Sequence, residues 1–212
     1  MKVEEIFFRD MYHKICLLID AGLAQKFSDM LEMPPGEKPD GLLTYAYIDK
    51  DAGFTFSVWG GAKTSGSRLK IFPINYKQAA FVRRGGASGA DVKILTDDYA
   101  LAFRDRMQMI NDCYAVDESR EQTRFIKNLD AFRHPDYPDD VVVYFLSAEH
   151  NPELLWVRCM SVDESILTGE LLNEPTKNFG CHVGDKIKFG VAQIGEQNIL
   201  LYLPTTEGNT LA

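Results

Sequence analysis

Gly61-Ala-Lys-Thr-Ser-Gly66-Ser67 has the glycine spacing of a phosphate-binding loop. In such a loop backbone amides cradle phosphate oxygens and a lysine after the second glycine reaches them. Here Ser67-Arg68 stands where that lysine belongs. Leu69-Lys-Ile-Phe-Pro73 reads as strand rather than as the helix whose N-terminus would hold the phosphate. Arg83-Arg84-Gly-Gly offers a second anion loop, since glycines let amides approach a ligand, but a solvated, mobile loop is the favoured reading. Metal ligands must converge. His13 and Cys16 share a face of an expected helix and lack a third partner. Cys181-His182, Glu149-His150, and His134 with Asp136, Asp139 and Asp140 match neither a zinc spacing nor a calcium loop. For nucleophilic chemistry there is no G-x-S-x-G elbow, and Gly86-Ala-Ser88-Gly89 misses its spacing. Cys159 and Cys181 would need His150 or His182 brought to them by the fold. No catalytic residue, metal or cofactor is assigned on these grounds, and binding is favoured over catalysis.

Charge is more informative. The chain has 212 residues, 23 of them Lys or Arg and 31 Asp or Glu, for a formal net charge of −8. Its 45% hydrophobic and 25% charged residues are ordinary for a globular protein and exclude disorder and collagen. Residues 1–134 hold 19 basic and 19 acidic side chains. Residues 135–212 hold four basic ones (Arg158, Lys177, Lys186, Lys188) against twelve acidic. The whole excess therefore lies in the last third, which argues against nucleic acid as its partner and for a basic protein. Within the neutral part, residues 60–94 carry seven basic side chains and one acid, Asp91. The apolar run Ile15–Ile19 is far short of the roughly 20 residues that span a bilayer, so no membrane partner is expected. The first residues carry charges where a signal peptide needs an apolar stretch. Four separated cysteines form no C-x-x-C pair. Both observations predict a cytoplasmic protein with free thiols.

The elements that must position these residues read as α+β. Phe7, Met11, Ile15, Leu18, Leu23, Phe27 and Met30 recur at helical spacing and predict helix over residues 3–33, broken at Gly22 and stopped by Pro34-Pro35. Leu43–Ile48 and Phe54–Trp59 alternate around the turn-rich Asp49–Gly53 and predict a hairpin. A strand follows near Lys70–Tyr76. Tyr99, Phe103, Met107, Ile110 and Tyr114 form a second helical stripe, with Thr96 as N-cap. Ser119-x-x-Gln122 reads as a capping box opening a helix over 119–131. The polar stretch Arg133–Asp140 marks a boundary, dividing the chain into an α+β unit, 1–134, and an acidic unit, 135–212, which share one core or stand as separate domains. The second unit is mostly β: Val141–Ser147, Leu154–Val162, Ser165–Leu172, Lys186–Val191 and Asn198–Leu203 predict a small five-stranded bent sheet or barrel.

Within that unit, Glu153-Leu-Leu-Trp156-Val157, Gly169-x-Leu171-x-Asn173-x-Pro175 and Gly184-Asp185-x-Ile187-x-Phe189 follow one another. The pattern resembles a family of small bacterial domains of unknown function, over roughly 50 residues. The Asp-Trp that usually ends the family's pattern is absent, since Ile194 is followed by Gly-Glu-Gln. The resemblance brings no activity with it. The local physics is a tight turn at Gly-Asp, a chain reversal at Asn-x-Pro, and Trp156 on an alternating strand, expected in the barrel interior. Trp156, Arg158 and Asn173 are the binding candidates of this unit, and Arg83 and Arg84 those of the first.

Three readings follow. The first is a binding protein of immunity or adaptor type that docks a basic partner on its acidic C-terminal unit. The second is a small-molecule or enzymatic pocket between the units, lined by basic residues of 63–93 with Trp156 and Arg158. The third is a homo-oligomer pairing the basic stretch of one copy with the acidic third of another.

Overall fold

The computed structural model describes residues 1–66, 68–74, 79–95, 97–148 and 151–204. By its internal contacts the chain divides into Met1–Ala115 and Val116–Ala212. The boundary expected after residue 134 therefore falls earlier, and residues 116–134 join the second unit. They carry four acids and four bases, so that unit keeps the entire −8.

The first unit is a six-stranded antiparallel sheet with helices on both faces. In chain order its elements are α1 (Phe8–Met11), β1 (Ile15–Ile19), α2 (Ala21–Gln25), β2 (Gly41–Asp49), β3 (Gly53–Ser65), β4 (Arg68–Pro73), β5 (Phe81–Arg83), α3 (Arg84–Ala87), β6 (Asp91–Ile94), α4 (Asp97–Ala102) and α5 (Arg104–Cys113). The order across the sheet is β4-β3-β2-β1-β6, and the start of β3 also pairs with β5. The expected hairpin is β2–β3. The helix expected over 3–33 is not formed. Its middle is β1, which lies between β2 and β6. The reason is burial on both faces: Cys16 and Leu18 join the core under α1–α3, while Ile15 joins the core under α4 and α5. A strand covered on both sides is apolar throughout and has no period of two to betray it.

The stripe Tyr99, Phe103, Met107, Ile110 packs on Leu43, Tyr45 and Trp59, as its periodicity requires. It is carried by two helices that part at Phe103 rather than by one. Its expected cap, Thr96, lies outside the described residues. The phosphate-loop glycines do not open a helix: Gly61 is inside β3, where a Cβ would run into Leu31 Cδ1, and Gly66 follows the strand in a turn with a left-handed backbone.

The second unit opens with α6 (Glu118–Arg124) and a 3-10 turn, Lys127–Phe132. Asp117, not Ser119, caps α6, its carboxylate accepting from the Arg120 amide. The five expected strands are present: β7 (Asp140–Phe145), β8 (Glu153–Asp163), β9 (Ile166–Leu171), β10 (Lys186–Ile194) and β11 (Gln197–Leu203). They close into a barrel in the order β10-β11-β7-β8-β9. In a meander of five strands the first and last run the same way. Closure therefore needs one parallel pair, and β11 with β7 supplies it at Leu201 and Tyr144. Val141, Val143, Phe145, Val157, Leu171 and Phe189 fill the interior. Gly169 lets the walls approach, since a Cβ there would stand 2.5 Å from Val157 Cγ1 and 2.6 Å from the Arg158 carbonyl oxygen. Each unit thus encloses its own apolar core.

Candidate functional site

Trp156 and Arg158 lie on β8 between the inward-facing Leu155, Val157 and Cys159. The alternation therefore turns them to the outside of the barrel. This corrects the expectation that Trp156 fills the interior, which Phe145 and Phe189 occupy. The half-buried indole meets the His134 ring edge to face, with centroids 5.2 Å apart. The Asn173 side-chain oxygen accepts the Trp156 amide at 2.8 Å, and the Trp156 carbonyl accepts the Leu172 amide at 2.9 Å. Arg158 grips Asp140 on the neighbouring strand through two hydrogen bonds, at 2.8 and 3.1 Å. That carboxylate is what raises the guanidinium pKa above its ordinary value. Trp156, Arg158 and Asn173 are thus brought together, as parts that hold the β7–β8–β9 wall in register.

The candidates of the first unit are engaged in the same way. Arg83 ends β5, pairs with Asp49 at 3.2 Å, donates to the Thr55 hydroxyl and covers the Phe81 ring. Arg84 opens α3 and donates to the carbonyls of Ile6, at 2.7 Å, and Val3. The expected mobile loop is therefore a strand running into a helix, anchored to the N-terminal segment.

Cys16 and Cys159 are enclosed in the two cores, and burial pushes both thiols up to about 12. Cys181 is also buried and raised, while Cys113 is exposed. His13 stands exposed before β1 with a left-handed backbone, so it and the buried Cys16 do not form a shared ligand face. Among the described residues no group of three or more His, Cys, Asp or Glu side chains is placed to hold a metal ion. Glu149 and His150 lie outside them. No helix of the described residues is long and apolar enough to cross a membrane.

The feature that sequence reasoning missed is a cleft of about 540 Å³ on the barrel unit. The strand register aligns Ile166 on β9, Gly190 on β10 and Leu201 on β11 in one row. The middle position has no side chain, and Ala192 on the same face of β10 is small. The resulting depression is walled by the exposed Ile166 and Leu203 and by Leu201. Glu164, Ser165 and Asn128 supply its polar edge. Antiparallel alternation places the β8–β9 turn, Glu164-Ser165, and the β10–β11 turn, Gly195-Glu196, at the same end of the barrel. Asp163 and Glu164 stand at the first of these turns, level with Gly190, and Glu196 stands at the tip of the β10–β11 hairpin, beyond the end of β9. A glycine inside the alternating run Lys186-Ile-Lys-Phe-Gly190-Val-Ala192 was the available signal, since an interior strand glycine often marks a close approach.

Internal pairing sharpens the surface charge of this unit. Arg124 is fully buried and forks onto Asp139 with two bonds of 2.8 Å while also reaching Glu121. Arg133 pairs with Asp130, and Arg158 with Asp140. With these arginines committed to internal pairs, the described residues of the unit expose eight carboxylates against four lysines.

No protein family, curated protein or solved structure matches the chain, so the resemblance of residues 153–190 rests on its motif residues alone.

Proposed function

We propose that the protein is a non-catalytic interaction protein, of immunity or adaptor type, whose Val116–Ala212 unit docks a basic partner protein. The observation that carries this reading is the placement of charge. The second unit holds all of the −8, the buried Arg124 and the half-buried Arg158 are paired with buried aspartates, and what remains exposed among the described residues is two-to-one acidic. A surface of that kind attracts a basic partner over about a Debye length and speeds encounter. The aliphatic cleft beside the acidic turns supports the same reading, because steering charge needs an apolar contact to hold what it attracts. The pocket reading draws on the basic residues of 63–93 with Trp156 and Arg158; of these, Arg83, Arg84 and Arg158 are held by partners within their own units.

The test uses the full chain as bait in extracts of its source cell, followed by measurement of the identified partner with purified proteins. The expected partner presents a basic face. Its affinity falls as salt is raised, and falls again when Asp163→Asn, Glu164→Gln and Glu196→Gln are combined. A partner indifferent to both salt and these substitutions contradicts the reading.

A further inference from the structure

Gly190 is a glycine that neither backbone nor packing demands. Its φ is not in the left-handed region, and a Cβ there would meet Ser165 O at 3.6 Å and Leu203 Cδ1 at 3.8 Å, which are ordinary contacts. Gly169 in the same barrel is different, because crowding forbids a side chain there. What Gly190 does provide is the open floor of the cleft. Resting on the docking role proposed above, we infer that this cleft seats an apolar side chain from a lysine- or arginine-rich segment of another protein.

Size, wall chemistry and rim charge each point to that occupant. About 540 Å³ is within the range of ligand-binding clefts, and here it is room for one or two large aliphatic or aromatic side chains. The walls are Leu201 and the exposed Ile166 and Leu203, whose exposed apolar surface loses water only when an apolar group enters. Glu164 lines the cleft and Asp163 stands opposite Ile166, so that edge favours positive charge beside the anchor. An acidic segment would meet these carboxylates and the unit's exposed excess of negative charge, so repulsion selects against it.

The experiment pans a random dodecapeptide library on the full chain and measures the enriched peptides on variants. Gly190→Val and Ala192→Val each place a side chain in the floor, and thermal melting checks that both remain folded. Leu154→Ser alters an exposed leucine on β8 that does not line the cleft. The expected peptides carry Lys or Arg around one apolar residue. They bind each floor variant at least about tenfold more weakly, as loss of one buried aliphatic contact implies, and bind Leu154→Ser unchanged. Basic peptides that bind both floor variants as well as the parent chain overturn the cleft assignment and leave the docking role standing. Enrichment without basic residues, or no enrichment, overturns both. A dimer in sedimentation that Gly190→Val dissociates overturns the inference in favour of a second copy.

Discussion

Arg124 shows how a single side chain does structural work that its charge alone would not suggest. It is 1% exposed, its two forked bonds to Asp139 are 2.8 Å long, and Asp139 is itself 7% exposed. Arg124→Ala leaves Asp139 buried without a counter-charge, and chemical denaturation should show a loss of about 3–5 kcal/mol. Arg124→Lys should recover little of it, because an ammonium cannot make the planar two-point contact. A loss below about 1 kcal/mol for Arg124→Ala would mean that Asp139 finds another partner. The thiols make a second residue-scale prediction. Cys113 is exposed, while Cys16, Cys159 and Cys181 are buried with raised pKa values. A disulfide reagent should therefore titrate one thiol quickly in the native protein and all four after unfolding. More than one fast thiol would contradict the burial. Little of this was legible beforehand: Arg124 and Asp139 are fifteen residues apart with no motif joining them. Trp156 was placed on the right strand with the wrong parity, because hydrophobicity alone does not tell an interior indole from one that covers the outside of a barrel.

At the scale of elements, legibility followed exposure. The five barrel strands have one wet face and alternate, so they were readable almost to their ends, whereas β2–β3, covered on both sides, was readable from its aromatic and β-branched residues around the turn Asp49–Gly53. β1, covered on both sides, was not, and its five apolar residues fit a helical stripe equally well. The kink at Phe103 carried no Gly or Pro to announce it. The barrel's curvature rests on Gly169, and Gly169→Ala should destabilise the unit by about 1–3 kcal/mol or more, read by thermal or urea unfolding. An unchanged midpoint would show that the β8–β9 wall can retreat. The loop between β9 and β10 is clamped by Glu174, which accepts from the His182 ring at 2.7 Å and from the Val183 amide at 2.9 Å. The carboxylate raises the His182 pKa, and the Val183 amide followed by His182 lowers that of Glu174. The histidine's contribution is complete below its ordinary value of about 6.5 and is lost as pH rises through the raised folded value. The glutamate's contribution is present above its ordinary value and is lost as pH falls through the lowered one. Protection of the Val183 amide from exchange, corrected for intrinsic rate, should therefore be greatest between the ordinary values of the two groups and decline as pH rises above the histidine's ordinary 6.5. His182→Gln should flatten the alkaline limb. Protection that stays constant across that range would show that the clamp does not depend on charge.

The whole molecule joins a neutral helix-covered sheet and an acidic closed barrel in one chain, each with its own core. Their difference in charge was visible in the sequence from counting alone. The cleft was not, because it depends on the register that puts Gly190 between Ile166 and Leu201. The central claim is that the barrel unit, through this cleft, is the docking surface for a basic segment. Methyl NMR of the full chain, titrated at low salt with a basic peptide enriched on it, tests that claim most directly. The account predicts saturable shifts at Ile166, Leu201 and Leu203, reduced by salt and by Gly190→Val. Shifts confined to methyls of residues 1–115, or distributed over both units without saturation, would contradict it.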